Sequence, residues 1–138
     1  MATEILVTDG TLVMVRWLEI TFDGLARVDA AVKAASAVGP VTYVGLVGNA
    51  STMPSDDVRK RLTAGLDAMA EHCKTVSLVL DGTGLKFSAM RSAAAAVFLL
   101  KGTRQMKMYS SLDECLRERL PERRESALAK AKSLGLID

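Results

Sequence analysis

Hydrophobic and polar positions alternate in a way that changes period along the chain. From Glu4 to Trp17, two β-rich runs flank Asp9-Gly10, a dipeptide that suits a tight hairpin turn. The spacing predicts antiparallel strands over Glu4–Thr8 and Thr11–Trp17. In the second, Val13, Val15 and Trp17 share one face, and the other carries Leu12, Met14 and then a charge, Arg16. The period then becomes helical. Leu25, Val28, Val32 and Ala35 recur at three- and four-residue spacing until Gly39-Pro40 ends the pattern. "VTYVGLVG", from Val41, is short and apolar throughout, as a strand buried on both faces must be.

The alternation repeats. Val58, Leu62, Leu66 and Met69 form a second helical stripe, with Pro54 expected in the first helical turn, Asp56 and Asp57 at the positive helix end, and Arg59, Lys60 and Arg61 fanning outward. "TVSLVLD" is the next buried strand, and a small-residue helix follows from about Phe87 to Leu100, stopped at Lys101-Gly102. "RQMKMYS" reads as an edge strand. Ser111 to Glu114 is a capping box opening a helix that carries Leu112, Leu116 and Leu120. The order β-β-α-β-α-β-α-β-α predicts an α/β domain over residues 1–120: a mixed, mostly parallel sheet with an N-terminal hairpin and four helices. Beyond Pro121, residues 121–138 form a charged, alanine-rich helical extension. Its Leu128, Leu134, Leu136 and Ile137 suit docking on the domain or on a second subunit.

Composition narrows the function. A chain of 138 residues that is 49% hydrophobic has the material for one full core. The net charge of +2 and the 4% aromatic content argue against nucleic acid as a partner, because basic residues in the tail are interleaved with Glu118, Glu122 and Glu125. The longest strongly apolar stretch, Ser92 to Leu100, is about half of what a membrane span needs. Glu4 and Asp9 stand where a secretory signal would be basic and then apolar. These features lead to the expectation of a cytoplasmic protein whose two cysteines, Cys73 and Cys115, are buried and reduced. No Cys or His pair has metal-ligand spacing, so no metal and no cofactor is expected.

Catalytic groups are sparse. His72 is the one histidine, late in the second helix, where the helix dipole favours it. Its neighbour Cys73 points about 100° away around a helix, which does not make a nucleophile–base pair. The loops after two central strands, "VGNASTMP" and "DGTGLKFSAM", are where an open α/β sheet binds its ligands. Gly82 and Gly84 make the second a turn of unusual backbone shape, but it lacks both the dinucleotide and the phosphate-loop spacing. Asp81 is the best single acid in such a cleft. No catalytic residue is assigned, and the chain is read as non-enzymatic.

The segment Asp81, Thr83, Gly84, Leu85, Phe87, after a buried strand and opening a small-residue helix, resembles the STAS domain of anti-sigma-factor antagonists. It is closest to the broader SpoIIAA-like, STAS/SEC14-type bacterial proteins, and the likeness covers about residues 3 to 120. The resemblance implies a regulatory module that binds another protein. In those antagonists an Asp-Ser-Ser-Gly segment follows the Phe, and its first serine is phosphorylated. Here Ala89 and Met90 hold the acid and acceptor positions, so the resemblance implies that this switch is missing, with Ser88 and Ser92 as the substitutes at hand. The expected partner surface is Met53, Pro54, Asp81, Thr83, Phe87, Ser88, Met90 and Arg91, with a homodimer as a further expectation. The alternative is a small-molecule or lipid-binding domain of SEC14-like type, which requires an apolar cavity.

Overall fold

A computed structural model describes residues 2–52, 54–101 and 105–138. Its five strands are β1 (Glu4–Asp9), β2 (Leu12–Trp17), β3 (Val41–Val47), β4 (Cys73–Leu80) and β5 (Met106–Tyr109). Its helices are α1 (Phe22–Ser36), α2 (Asp56–His72), α3 (Leu85–Lys101), α4 (Leu112–Arg119) and α5 (Arg124–Ser133), with a single 3₁₀ turn at Pro121–Arg123 before the last. The strands lie in chain order in one sheet; β1 and β2 are antiparallel, and β2 through β5 are parallel.

Successive parallel strands in that order need crossovers of one hand, so α1, α2 and α3 reach the same face. The core on that face joins Val13, Val15 and Trp17 of β2 to Leu25, Val28 and Val32 of α1, with Val58 and Phe87 from the next two helices. The opposite face of β2 gives Leu12 and Met14 to a second core, shared with Leu112, Cys115 and Leu116 of α4 and Ala127, Ala131 and Leu136 at the end of the chain. The alternation expected in β2 is thus the division between two cores. The C-terminal segment packs into the second of them: Ala131 and Leu136 are fully buried, while Leu134 faces out.

Side-chain oxygens start three helices. Thr21 accepts from the Gly24 N–H at 3.0 Å, Ser55 from the Val58 N–H at 3.3 Å and Ser111 from the Glu114 N–H at 3.2 Å. Ser55 corrects the expectation for Pro54, which lies before the cap and outside the first turn of α2. Arg61 is a second correction. It turns inward across Gly65 to Asp29 of α1, with Nη2 at 2.6 Å from the carboxylate. In the tail, Arg123 pairs with Asp9 at 2.8 Å and Arg124 with Asp113 at 2.5 Å, so these two bind the domain as well as carrying charge.

α2 passes into β4 without a loop, and Cys73 is the first residue of the strand. The β3–β4 register shifts there, between Val41 and Thr42. Cys73 lies in the first core and Cys115 in the second, on opposite faces of the sheet, and both are free thiols. Burial pushes each up to about 11.

Candidate functional site

Three parallel strands end side by side, and the chemistry collects beyond them. Arg16 leaves the end of β2 on the second face, and Asp81 follows β4 on the same face. The guanidinium grips the carboxylate with two bonds, Nη1 to Oδ1 at 2.8 Å and Nη2 to Oδ2 at 2.5 Å. Its Nε donates to the Leu136 carbonyl at 2.7 Å. The pair lies directly over Gly48, where a Cβ would fall 2.7 Å from Asp81 Oδ1 and 2.8 Å from Arg16 Nη1. Arg16 is 13% exposed and Asp81 25%. An acid held this way is a structural anchor, with both oxygens occupied and a permanent cation against it.

The rest of the loop is held as firmly. The Asp81 N–H donates to the Val47 carbonyl at 3.2 Å, and the Thr83 N–H to Asn49 Oδ1 at 3.0 Å. Lys86 reaches the Ser51 carbonyl at 2.9 Å, and Ser51 itself donates to the Trp17 carbonyl at 2.5 Å. The loops after β3 and β4 therefore share one edge, as neighbouring strands require. Gly84 has φ +94°, a conformation closed to most side chains. Phe87 does not face a partner: it is 1% exposed, with one edge of its ring close against Gly82. Arg91 folds back to the Leu80 and Gly82 carbonyls at 3.0 and 3.3 Å. Of the surface expected from the sequence, Thr83 and Ser88 are exposed, and Pro54, Asp81, Met90 and Arg91 are half-buried; Met53 lies outside the described residues.

Pro54 and Met90 belong to something larger. Between α2 and α3, above β3 and β4, runs an apolar groove of about 540 Å³. Leu62, Leu66 and Met69 form one wall, Met90, Ala93 and Ala94 the other. Tyr43, Val76 and Leu78 are on its floor, and Trp17 closes one side. Charged groups of Asp29, Arg59, Arg61 and Lys86 stand at its edges. Within α2 only Val58 is fully buried; Leu62, Leu66 and Met69 pack partly buried against the first core and line the groove with the rest of their surface. Burial holds the Tyr43 hydroxyl far above the ordinary phenol range, with the Trp17 indole partly opposing the shift.

Sequence reasoning did not find Arg16, Gly48 and Leu136 as parts of this edge. The charge ending the apolar face of β2 was their one signal, because an arginine so placed demands an acid. The groove residues were visible as a helical stripe, with nothing to separate a packed wall from an open one. Among the described residues no group of three His, Cys, Asp or Glu side chains is placed to hold a metal. No described helix is long and apolar enough to cross a membrane. Compared with models of protein families, with curated proteins and with solved structures, the chain matches none.

Proposed function

We propose that this chain is a non-enzymatic binding domain of the STAS and SEC14-like kind, and that it takes an apolar small molecule into the groove between α2 and α3. The groove carries the reading. Its volume falls within the range of small-molecule sites, about 300–1,000 Å³, and it is apolar with a few polar groups at the rim, as such sites are. The hairpin-first mixed sheet supports the STAS likeness, and so does the segment from Asp81 to Phe87. That segment works here as a brace: Asp81 binds Arg16, and Phe87 fills the space over Gly82. Met90, in the position of the phosphorylated serine of STAS antagonists, lines the groove.

A regulatory protein partner is the second reading, and one observation favours it. Leu85, the first residue of α3, is 90% exposed between exposed Thr83 and exposed Ser88. The two readings separate by experiment. Native mass spectrometry of the purified protein is expected to show a small apolar adduct that is lost in Ala93→Trp, a change at an exposed position that fills the groove. An adduct-free protein that captures one defined protein, and loses it in Leu85→Asp, would replace the first reading with the second.

A further inference from the structure

The C-terminal segment ends in a geometry that reaches across the sheet edge. After α5, Gly135 takes φ +83°, the left-handed conformation that stops a helix. The Gly135 N–H donates to the Lys132 carbonyl at 3.3 Å, and the Leu136 N–H to the Ala131 carbonyl at 2.9 Å. These are the two bonds of a Schellman motif, and its usual apolar contact is present, since Ala131 and Leu136 are both buried in the second core. The motif and the buried side chain place Leu136 beside the end of β2. The Leu136 carbonyl receives Arg16 Nε, whose other two nitrogens hold Asp81.

We infer that residues 134–138 form a strap that sets the Asp81 loop through Arg16, so that docking of the chain's end on one face of the sheet controls the order of α3 on the other. A guanidinium is planar, so fixing its Nε direction fixes the plane in which its two Nη groups meet the carboxylate. With the Leu136 carbonyl in place, Arg16 has one orientation, and Asp81 is held at the start of the turn that launches α3. Without it, Arg16 is free to turn toward water. The bidentate grip then loses its geometry, and the turn from Gly82 to Gly84 loses the one of its anchors that crosses to the second face, keeping the Asn49 and Arg91 bonds. The groove feels this because Met90, Ala93 and Ala94 are its α3 wall. That last consequence rests on the groove being a binding site; the link from strap to loop does not.

Hydrogen exchange tests the link directly, with no ligand needed. Two variants release the strap. One is truncation after Leu134. The other is Gly135→Ala, which retains Leu136 but disfavours the left-handed turn, with only Ile5 Cδ1, at 3.9 Å, near the new Cβ. Both are expected to speed amide exchange over residues 82–92 at least tenfold while α1 keeps its protection. In an Arg16→Lys background, where a single ammonium cannot hold both partners in one plane, truncation is expected to change residues 82–92 less than twofold further. Unchanged protection of 82–92 after strap release would overturn the inference. So would an equal rise over α1 and 82–92, which would mean general loosening, or a full truncation effect in the Arg16→Lys background.

Discussion

Replacing Gly82 with alanine places a methyl group inside the ring of Phe87. An ideal Cβ at Gly82 falls 2.1 Å from Phe87 Cε2 and 2.2 Å from Cζ. Carbon atoms rest about 3.5–4.0 Å apart, so the ring has to retreat by roughly 1.5 Å. Phe87 is 1% exposed, and the obstacle is a rigid ring edge with no flexible end to swing aside. Overpacking of this kind costs about 1–3 kcal/mol, and the overlap places this site in the upper half. Reduced freedom of the unfolded chain returns about 0.4–1 kcal/mol. The net loss is about 1–2.5 kcal/mol, or a fall in Tm of roughly 3–10 °C for a domain of this size. Urea unfolding followed by circular dichroism measures it, with the slope m expected to stay constant. Phe87→Leu alone removes three buried carbons and costs about 2 kcal/mol. In the double variant the new methyl occupies the space the ring left, so the double loss is expected to fall short of the sum by about 1 kcal/mol or more. Gly84→Ala is the control. Its Cβ meets nothing within 4 Å, so its cost is backbone strain at φ +94° and Phe87→Leu does not relieve it. A Gly82→Ala variant within about 0.5 kcal/mol of wild type, or additive losses in the double variant, would refute the claim that this segment is a structural brace.

Other outcomes follow from the same structure. Asp81→Asn leaves a mostly buried guanidinium without its counter-charge and is expected to cost about 2–4 kcal/mol in urea unfolding; a neutral result would mean the pair is solvated. The buried thiols, raised to about 11, stay protonated above the pH at which they ionise in the unfolded chain. Their contribution is complete below about 9 and is lost as pH rises from there through about 11, so stability is expected to decline over that window, with Cys73→Ala/Cys115→Ala declining less. Thiol labelling of the native protein at neutral pH is expected to be slow and to become fast only on unfolding. On the acid side, Arg27 holds the Glu4 carboxyl below its usual value, and Arg124 and Lys107 do the same for Asp113 and Glu118. These ion pairs add stability above the unfolded carboxylate range that disappears as pH falls through it to the lower folded values, and the mid-acid loss is expected to shrink in Glu4→Gln.

The sheet was legible because each strand differs from its neighbours in a way the chain itself displays. Asp9-Gly10 marks the hairpin, alternation in β2 separates two cores, and the uniform apolar run of β3 requires cover on both faces. Helix positions were clear from their stripes, and the start of α4 from its capping box, where Ser111 accepts from the Glu114 N–H; the start of α2 was not, because Ser55, which accepts from the Val58 N–H, is followed by no Glu or Gln three residues on. The candidate site was read less completely, since its parts lie far apart in sequence. Arg16, Asp81 and Leu136 meet only after the sheet forms and the tail folds back. Phe87 was recognised as part of a motif, but its burial depends on Gly82 having no side chain. The groove was the hardest to read, because Leu62, Leu66 and Met69 show the same periodicity whether the space they face is filled or open.

The most direct test of the central claim is chemical-shift mapping of the labelled protein with 1-anilinonaphthalene-8-sulfonate as an apolar probe. Saturable shifts are expected at Leu62, Leu66, Met69, Met90 and Ala93, with those of the first four lost in Ala93→Trp. Shifts confined to Thr83, Leu85 and Ser88, or no saturable shift at all, would contradict a binding groove between α2 and α3.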